Sequence, residues 1–137
     1  MSPRVVIAYA DGASRGNPGP ASFGIALYDE DGLPLHQASR ALGRATNNQA
    51  EYQGAIAALE AALGLGASEI ELHMDSELVV RQLAGRYKVR NPRLAPLYKR
   101  VLDLRSRFQR VSVQHVPRDQ NRTADRLANE ALDRKTS

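Results

Sequence analysis

Residues 4–20 read RVVIAYADGASRGNPGP, and the architecture follows from how this stretch is read. Val5, Ile7, Tyr9 and Asp11 fall on one face of an alternating segment, the period of a strand, so Asp11 is expected to end a first strand. The turn SRGNPGP leads into a second strand over about residues 21–28, and DEDG at 29–32 turns the chain into a third over about residues 33–42. Two tight reversals make an antiparallel meander in which strand three runs parallel to strand one.

Further along, Thr46 and Gln49 fit a capping box opening a helix that runs to about Leu63, with Tyr52, Ala55, Ile56 and Leu59 as its buried stripe and Glu51 near its first turn. After GLGAS comes a fourth strand, EIELHMD at 69–75. A helical crossover returns it parallel to strand three and hence to strand one. The helix SELVVRQL, the basic loop GRYKVRNP and the helix LAPLYKRVLDLRSRF follow, the last with Leu94, Leu97, Tyr98, Val101, Leu102 and Phe108 as an apolar stripe. A fifth strand is expected over about residues 111–116. NRTADRLANEALDRK makes a final helix, with Asp125 in its first turns and Leu127, Ala131 and Leu132 toward the core.

At 137 residues the chain is expected to form a single domain over residues 1–137. It has no apolar run of membrane-spanning length, and the start MSPRVVIAYADG has no signal-peptide core, so a cytoplasmic protein without membrane association is expected. Cysteine is absent, which excludes disulfides, thiol catalysis and thiolate zinc sites. The net charge of +4 is uneven. Residues 81–110 hold ten Arg or Lys against the single acid Asp103, a local balance of +9 that leaves −5 for the remainder. Part of that basic segment is a solvated helix face, but a +9 stretch near an acidic site is also what a phosphate-tracking surface requires.

Four acids stand in distinctive contexts: Asp11 in DGASRGNPG, Glu51 in TNNQAE, Asp75 in HMDSELVV and Asp125 in HVPRDQNRTAD. Any one alone reads as a helix cap, a dipole partner or a solvated acid. Capping, however, requires none of GNPG, TNN or the His and Asn that precede Asp125. Phosphodiester chemistry needs divalent metal and hard metal needs carboxylate oxygens, so four acids from four elements suggest one shared metal site.

From about Val5 to about Leu132 the chain resembles a type 1 ribonuclease H, with DGxxxGNPG, TNNxxxE, MDS and HxPxxxNxxAD in that family's order and spacing. The resemblance implies an α/β fold, a five-stranded mixed sheet in which strands 1–3 form the meander, strands 4 and 5 run parallel to strand 1, and helices flank the sheet. It places strand four beside strand one, which would bring Asp11 and Asp75 to one carboxyl edge. It implies endonucleolytic hydrolysis of the RNA strand of RNA–DNA hybrids, leaving 5′-phosphate and 3′-hydroxyl ends. Asp11, Glu51, Asp75 and Asp125 match the acidic ligands of two magnesium ions about 3.5–4 Å apart, with manganese a possible substitute and Asp11 the bridging ligand.

By the same resemblance His115 matches a mobile histidine that assists proton transfer or product release, for which an imidazole is suited. Ser14, Asn17, Thr46, Asn47 and Asn48 match residues that contact the hybrid. A monomer acting on the hybrid is expected.

The sequence departs from the family's bacterial pattern in two places. Between Leu83 and Leu94 a short loop stands where many members carry an extra helix and basic protrusion, and no Trp lines a DNA channel; Arg86, Tyr87, Lys88 and Arg90 are partial substitutes, of which Arg86, Lys88 and Arg90 are taken as substrate contacts. Glu77 stands where members commonly have Gln, so that base contact is not carried over. Two alternatives are a silent hybrid-binding module, which would normally lack an acid, and a DNA nuclease of the same superfold, which would lack GNPG and TNNxxxE as a set.

Overall fold

The computed structural model describes residues 3–85 and 88–136, with side chains described through Arg134. Five strands, β1 (Val5–Ser14), β2 (Gly19–Tyr28), β3 (Pro34–Ala45), β4 (Glu69–Met74) and β5 (Arg110–His115), form one sheet in the order β3-β2-β1-β4-β5. The pairs β1–β2 and β2–β3 are antiparallel, whereas β1–β4 and β4–β5 are parallel. The mixed sheet and the adjacency of β4 to β1 are as the sequence led one to expect.

Four α-helices flank the sheet among the described residues: α1 (Asn47–Gly64), α2 (Glu77–Leu83), α3 (Ala95–Arg105) and α4 (Arg122–Thr136). Thr46 opens α1 with the expected capping box: its Oγ1 accepts from the Gln49 N–H at 3.1 Å, and the Gln49 Oε1 accepts from the Thr46 N–H at 2.8 Å. Such a cap stabilises a helix by about 0.5–2 kcal/mol.

Strand β1 corrects one expectation. It does not end at Asp11 but continues to Ser14, because residues 11–14 stay paired with Gly24 to Ala21 of β2. What ends near Asp11 is its parallel ladder with β4, whose last pair is Tyr9 with His73. Asp11 therefore stands level with Asp75, just beyond the shared ladder. Leu102, expected in the apolar stripe of α3, is 44 % exposed, and Leu104 is buried in its place.

The core divides into two layers because strand side chains alternate between faces. Val6, Ala8 and Ala10 of β1 with Phe23, Ile25 and Leu27 of β2 pack with Tyr52, Ala55 and Leu59 of α1. On the other face α4 lies against β2, and Ser22 Oγ donates to the Ala128 carbonyl. Two glycines allow the helices to come this close. A Cβ on Gly12 would stand 2.4 Å from the Glu51 nitrogen of α1, and one on Gly24 would stand 2.3 Å from the Ala124 oxygen of α4. Gly24 is the partner of Asp11 across the β1–β2 ladder, so α1 and α4 press on the sheet from opposite sides at one place.

Candidate active site

That place is where the acids meet. Asp11 comes from β1, Glu51 from the second turn of α1, Asp75 from the residue after β4 and Asp125 from the first turn of α4. All four line one recess of about 270 Å³, together with Ser14, Arg15, Asn47 and Arg118 among others. One carboxylate oxygen each from Asp11, Glu51 and Asp75 lie within 4.8 Å of one another.

Glu51, Asp75 and Asp125 are held by hydrogen bonds. The Gly12 N–H donates to Glu51 Oε1 at 2.9 Å, tying α1 to the strand that carries Asp11. The Asn121 amide donates both to Asp75 Oδ2 and to the Ala10 carbonyl, each at 2.9 Å, tying Asp75 to the same strand. Asn129 Nδ2 donates to the Asp125 carbonyl at 2.9 Å and to its Oδ1 at 3.3 Å, one turn along α4. Arg118, on the loop before α4, stands 3.8 Å from Asp125.

Asp11 is 4 % exposed and Glu51 2 % exposed. Burial, followed by the neighbouring charge of Glu51 and then of Asp75, pushes the Asp11 carboxyl far above the usual carboxylate range. Glu51 is raised as well, first by burial, with Asp75 and Asp125 adding to it and the Gly12 N–H opposing it. Glu51 Oε2 is buried and, among the described residues, has no hydrogen-bond partner. Clustered acids under this much repulsion, one with an unsatisfied oxygen facing its neighbours, are a costly arrangement for a protein alone and a favourable one for hard divalent cations. The donor set, oxygen only and open on one side, fits magnesium-type ions and not a thiolate-bound metal.

The residues matched to substrate contact divide into two groups. Ser14, Asn17, Thr46, Asn47 and Asn48 gather at the start of α1: Ser14 Oγ donates to the Ala45 carbonyl at 3.0 Å, and Asn17 Oδ1 accepts from the Asn47 N–H at 3.1 Å. Lys88 and Arg90 are exposed on the connection between α2 and α3, while Arg86 and Tyr87 lie outside the described residues.

His115 ends β5, paired in register with Met74. It is exposed and lines a separate recess with Glu77, Val80 and Arg81 of α2, not the recess of the acids. Sequence reasoning assigned no role to Asn121, Asn129, Arg118 or Gly24. The first of these stood in the HVPRDQNRTAD motif, four residues before Asp125, which was the available signal; the Gly24 contact depends on a helix 100 residues away in the chain and left none.

The family profile described as reverse transcriptase-like matches residues 9–131. A bifunctional protein of Mycobacterium tuberculosis is 50 % identical over 129 residues, which are 93 % of this chain and 35 % of that protein. The chain thus spans about a third of the length of such curated relatives. Among solved structures, ribonuclease H1 of the archaeon Halobacterium salinarum is 51 % identical with a TM-score of 0.92, covering 94 % of this chain and 98 % of that one. LC11-RNase H1 in complex with an RNA/DNA hybrid is 42 % identical, also with a TM-score of 0.92, covering 96 % and 99 %.

Proposed function

The chain belongs to the ribonuclease H family, and on that premise we propose that it cuts the RNA strand of RNA–DNA hybrids endonucleolytically, leaving 5′-phosphate and 3′-hydroxyl ends. The observation that carries this reading is the convergence of Asp11, Glu51, Asp75 and Asp125, from four separate elements, on one recess beside the start of α1. Those four acids would hold two magnesium ions, or manganese in their place. When bound, the ions supply activation of the attacking water and stabilisation of the leaving 3′ oxygen.

The chain's own residues do the rest. Asn121 and the Gly12 N–H hold Asp75 and Glu51 in fixed orientation, so that the carboxylates need no reorganisation during the reaction. Ser14, Asn17, Thr46, Asn47 and Asn48 offer hydroxyls and amides next to the recess, suited to a backbone phosphate and to the 2′-hydroxyls that distinguish RNA from DNA in a shallow minor groove. His115, at the end of β5 and outside the recess of the acids, moves a proton or aids product release. Lys88 and Arg90, with Arg86, track the phosphate backbone and stand in for a longer basic protrusion. Residues 1–137 act as one domain, monomeric and in the cytoplasm. Among the described residues no helix is long and apolar enough to cross a membrane.

Purified protein incubated with end-labelled hybrid, RNA duplex and DNA duplex, each with magnesium or chelator, tests this reading. Magnesium-dependent cleavage of the RNA strand of the hybrid alone is expected. Hybrid binding without cleavage would identify a silent module, and cleavage of DNA duplex a different nuclease.

A further inference from the structure

On the α4 side of the sheet, next to the acidic recess, lies a larger cavity of about 490 Å³ that the hydrolytic reading does not use. Its apolar wall is made by Ile7 and Tyr9 of β1 and Tyr28 at the end of β2, and Gln120 and Thr123 add polar groups opposite. The two tyrosine rings meet edge to face, with centroids 5.9 Å apart at 82°. Behind them Tyr9 stacks on His73, with centroids 4.8 Å apart and planes 17° from parallel, which restrains its ring.

The rim is acidic, with Asp29 and Glu30 from the β2–β3 turn and Asp119 from the loop before α4, against Arg122, the one cation lining it among the described residues. Asp29 is committed to its turn, where its Oδ1 accepts from the Asp31 and Leu33 N–H groups at 2.9 Å each. Glu30 and Asp119 are exposed, and among the described residues neither has an ion-pair partner. Uncompensated carboxylates at an apolar mouth, in a chain of net charge +4, set this cavity apart from the basic segment at residues 81–110.

Cavities of about 300–1,000 Å³ with apolar walls and a few polar groups are the usual form of small-molecule sites. Here the tyrosine walls favour a flat body and the rim carboxylates favour positive charge, which attracts aromatic faces as well. A phosphate or a nucleic-acid strand would meet three acids and is disfavoured. We propose that this cavity binds a planar organic cation of one or two fused rings. Asn121, 1 % exposed, lines this cavity while its amide holds Asp75, which lines the acidic recess.

The probe is N-methylquinolinium, with neutral quinoline as its uncharged counterpart, titrated calorimetrically into the protein at saturating magnesium and near-neutral pH. One-site binding of the cation is expected, with quinoline at least about tenfold weaker, the scale of a cation–aromatic contact reinforced by carboxylates. The double variant Glu30→Gln, Asp119→Asn should weaken the cation about tenfold while quinoline binding and the thermal transition stay as in the parent. Equal affinity for the two probes, unchanged cation affinity in the double variant, or binding of the cation only when magnesium is left out, which would locate it among the metal ligands, each overturns the proposal.

Discussion

The acidic recess and the basic segment at residues 81–110 hold their charges in opposite ways. In the recess Asp11 and Glu51 are 4 % and 2 % exposed, and the Gly12 N–H ties Glu51 to the strand that carries Asp11. In the segment Lys88, Arg90, Arg93 and Lys99 lie on the surface, while Arg100 and Arg107 reach Asp103 at 3.2 and 3.1 Å and Arg105 donates to the Leu83 carbonyl. Buried charges at fixed positions interact strongly and cannot be exchanged for one another. Exposed charges act at longer range, are screened by salt and substitute for one another. On the proposed function one region serves chemistry and the other adhesion, and substitutions should separate the two.

The largest effect is expected in the recess. Asp11→Asn and Asp75→Asn should each lower hybrid cleavage by several orders of magnitude, because each removes ligand charge where no neighbouring group can replace it; steady-state rates at saturating magnesium check this. Outside the recess, His115→Ala should reduce turnover by about ten- to a thousandfold with little change in hybrid affinity, the usual worth of one proton-transfer group or less. A binding defect as large as the rate defect would show the histidine to be structural.

Gly24→Ala tests whether the recess depends on helix placement as well as on ligands. The added methyl would stand 2.3 Å from the Ala124 oxygen, so α4 must shift and carry Asp125 with it. A loss of about 1–3 kcal/mol in denaturant unfolding is expected, the usual cost of overpacking, together with weakened magnesium binding. Gly32→Ala serves as the contrast in space alone, since nothing lies within 4 Å of its Cβ position, although its φ of +84° adds backbone strain.

Much of the recess and its frame was legible in the sequence, for reasons that particular residues show. Thr46 and Gln49 announce α1 because a cap is a contact between near neighbours. The alternation through RVVIAYAD announces β1 for the same reason, yet it could not reveal that the strand runs to Ser14, since that depends on pairing with Ala21 across the turn. The four acids were readable from their contexts, whereas the Asn121 bridge from Asp75 to Ala10 joins residues 46 and 111 positions apart. Leu102 matched a helical stripe and still faces solvent, because α3 needs only its Leu94, Val101 and Leu104 edge to cover the core.

In the basic segment smaller effects are expected. Lys88→Ala with Arg90→Ala should raise the Michaelis constant severalfold and flatten its salt dependence by about 0.7–0.9 log units for each phosphate that the two side chains neutralise, with maximal rate nearly unchanged. If the charges only keep the surface solvated, the double variant will match the parent at every salt concentration.

The recess also predicts a pH signature that the segment lacks. Asp11 and Glu51 have folded-state pKa values raised above the unfolded range, so protonation favours the folded form. Their contribution to stability is fully present below about pH 4 and is lost as pH rises through the raised values. Thermal unfolding of metal-free protein should show this decline from about pH 4 upward. Asp11→Asn should flatten it, and magnesium should suppress it by binding the ionised form.

Single-turnover cleavage of an end-labelled RNA–DNA hybrid at limiting magnesium, parent beside Asp11→Asn, bears hardest on the metal site, provided that the thermal transition of each is recorded in the same buffer. Metal-dependent chemistry in the recess predicts cleavage by the parent that chelator abolishes, a variant slower by several orders of magnitude, and a variant fold at least as stable as the parent's without metal, since one repelling carboxylate is gone. A folded Asp11→Asn protein that cleaves the hybrid at close to the parent's rate would contradict it.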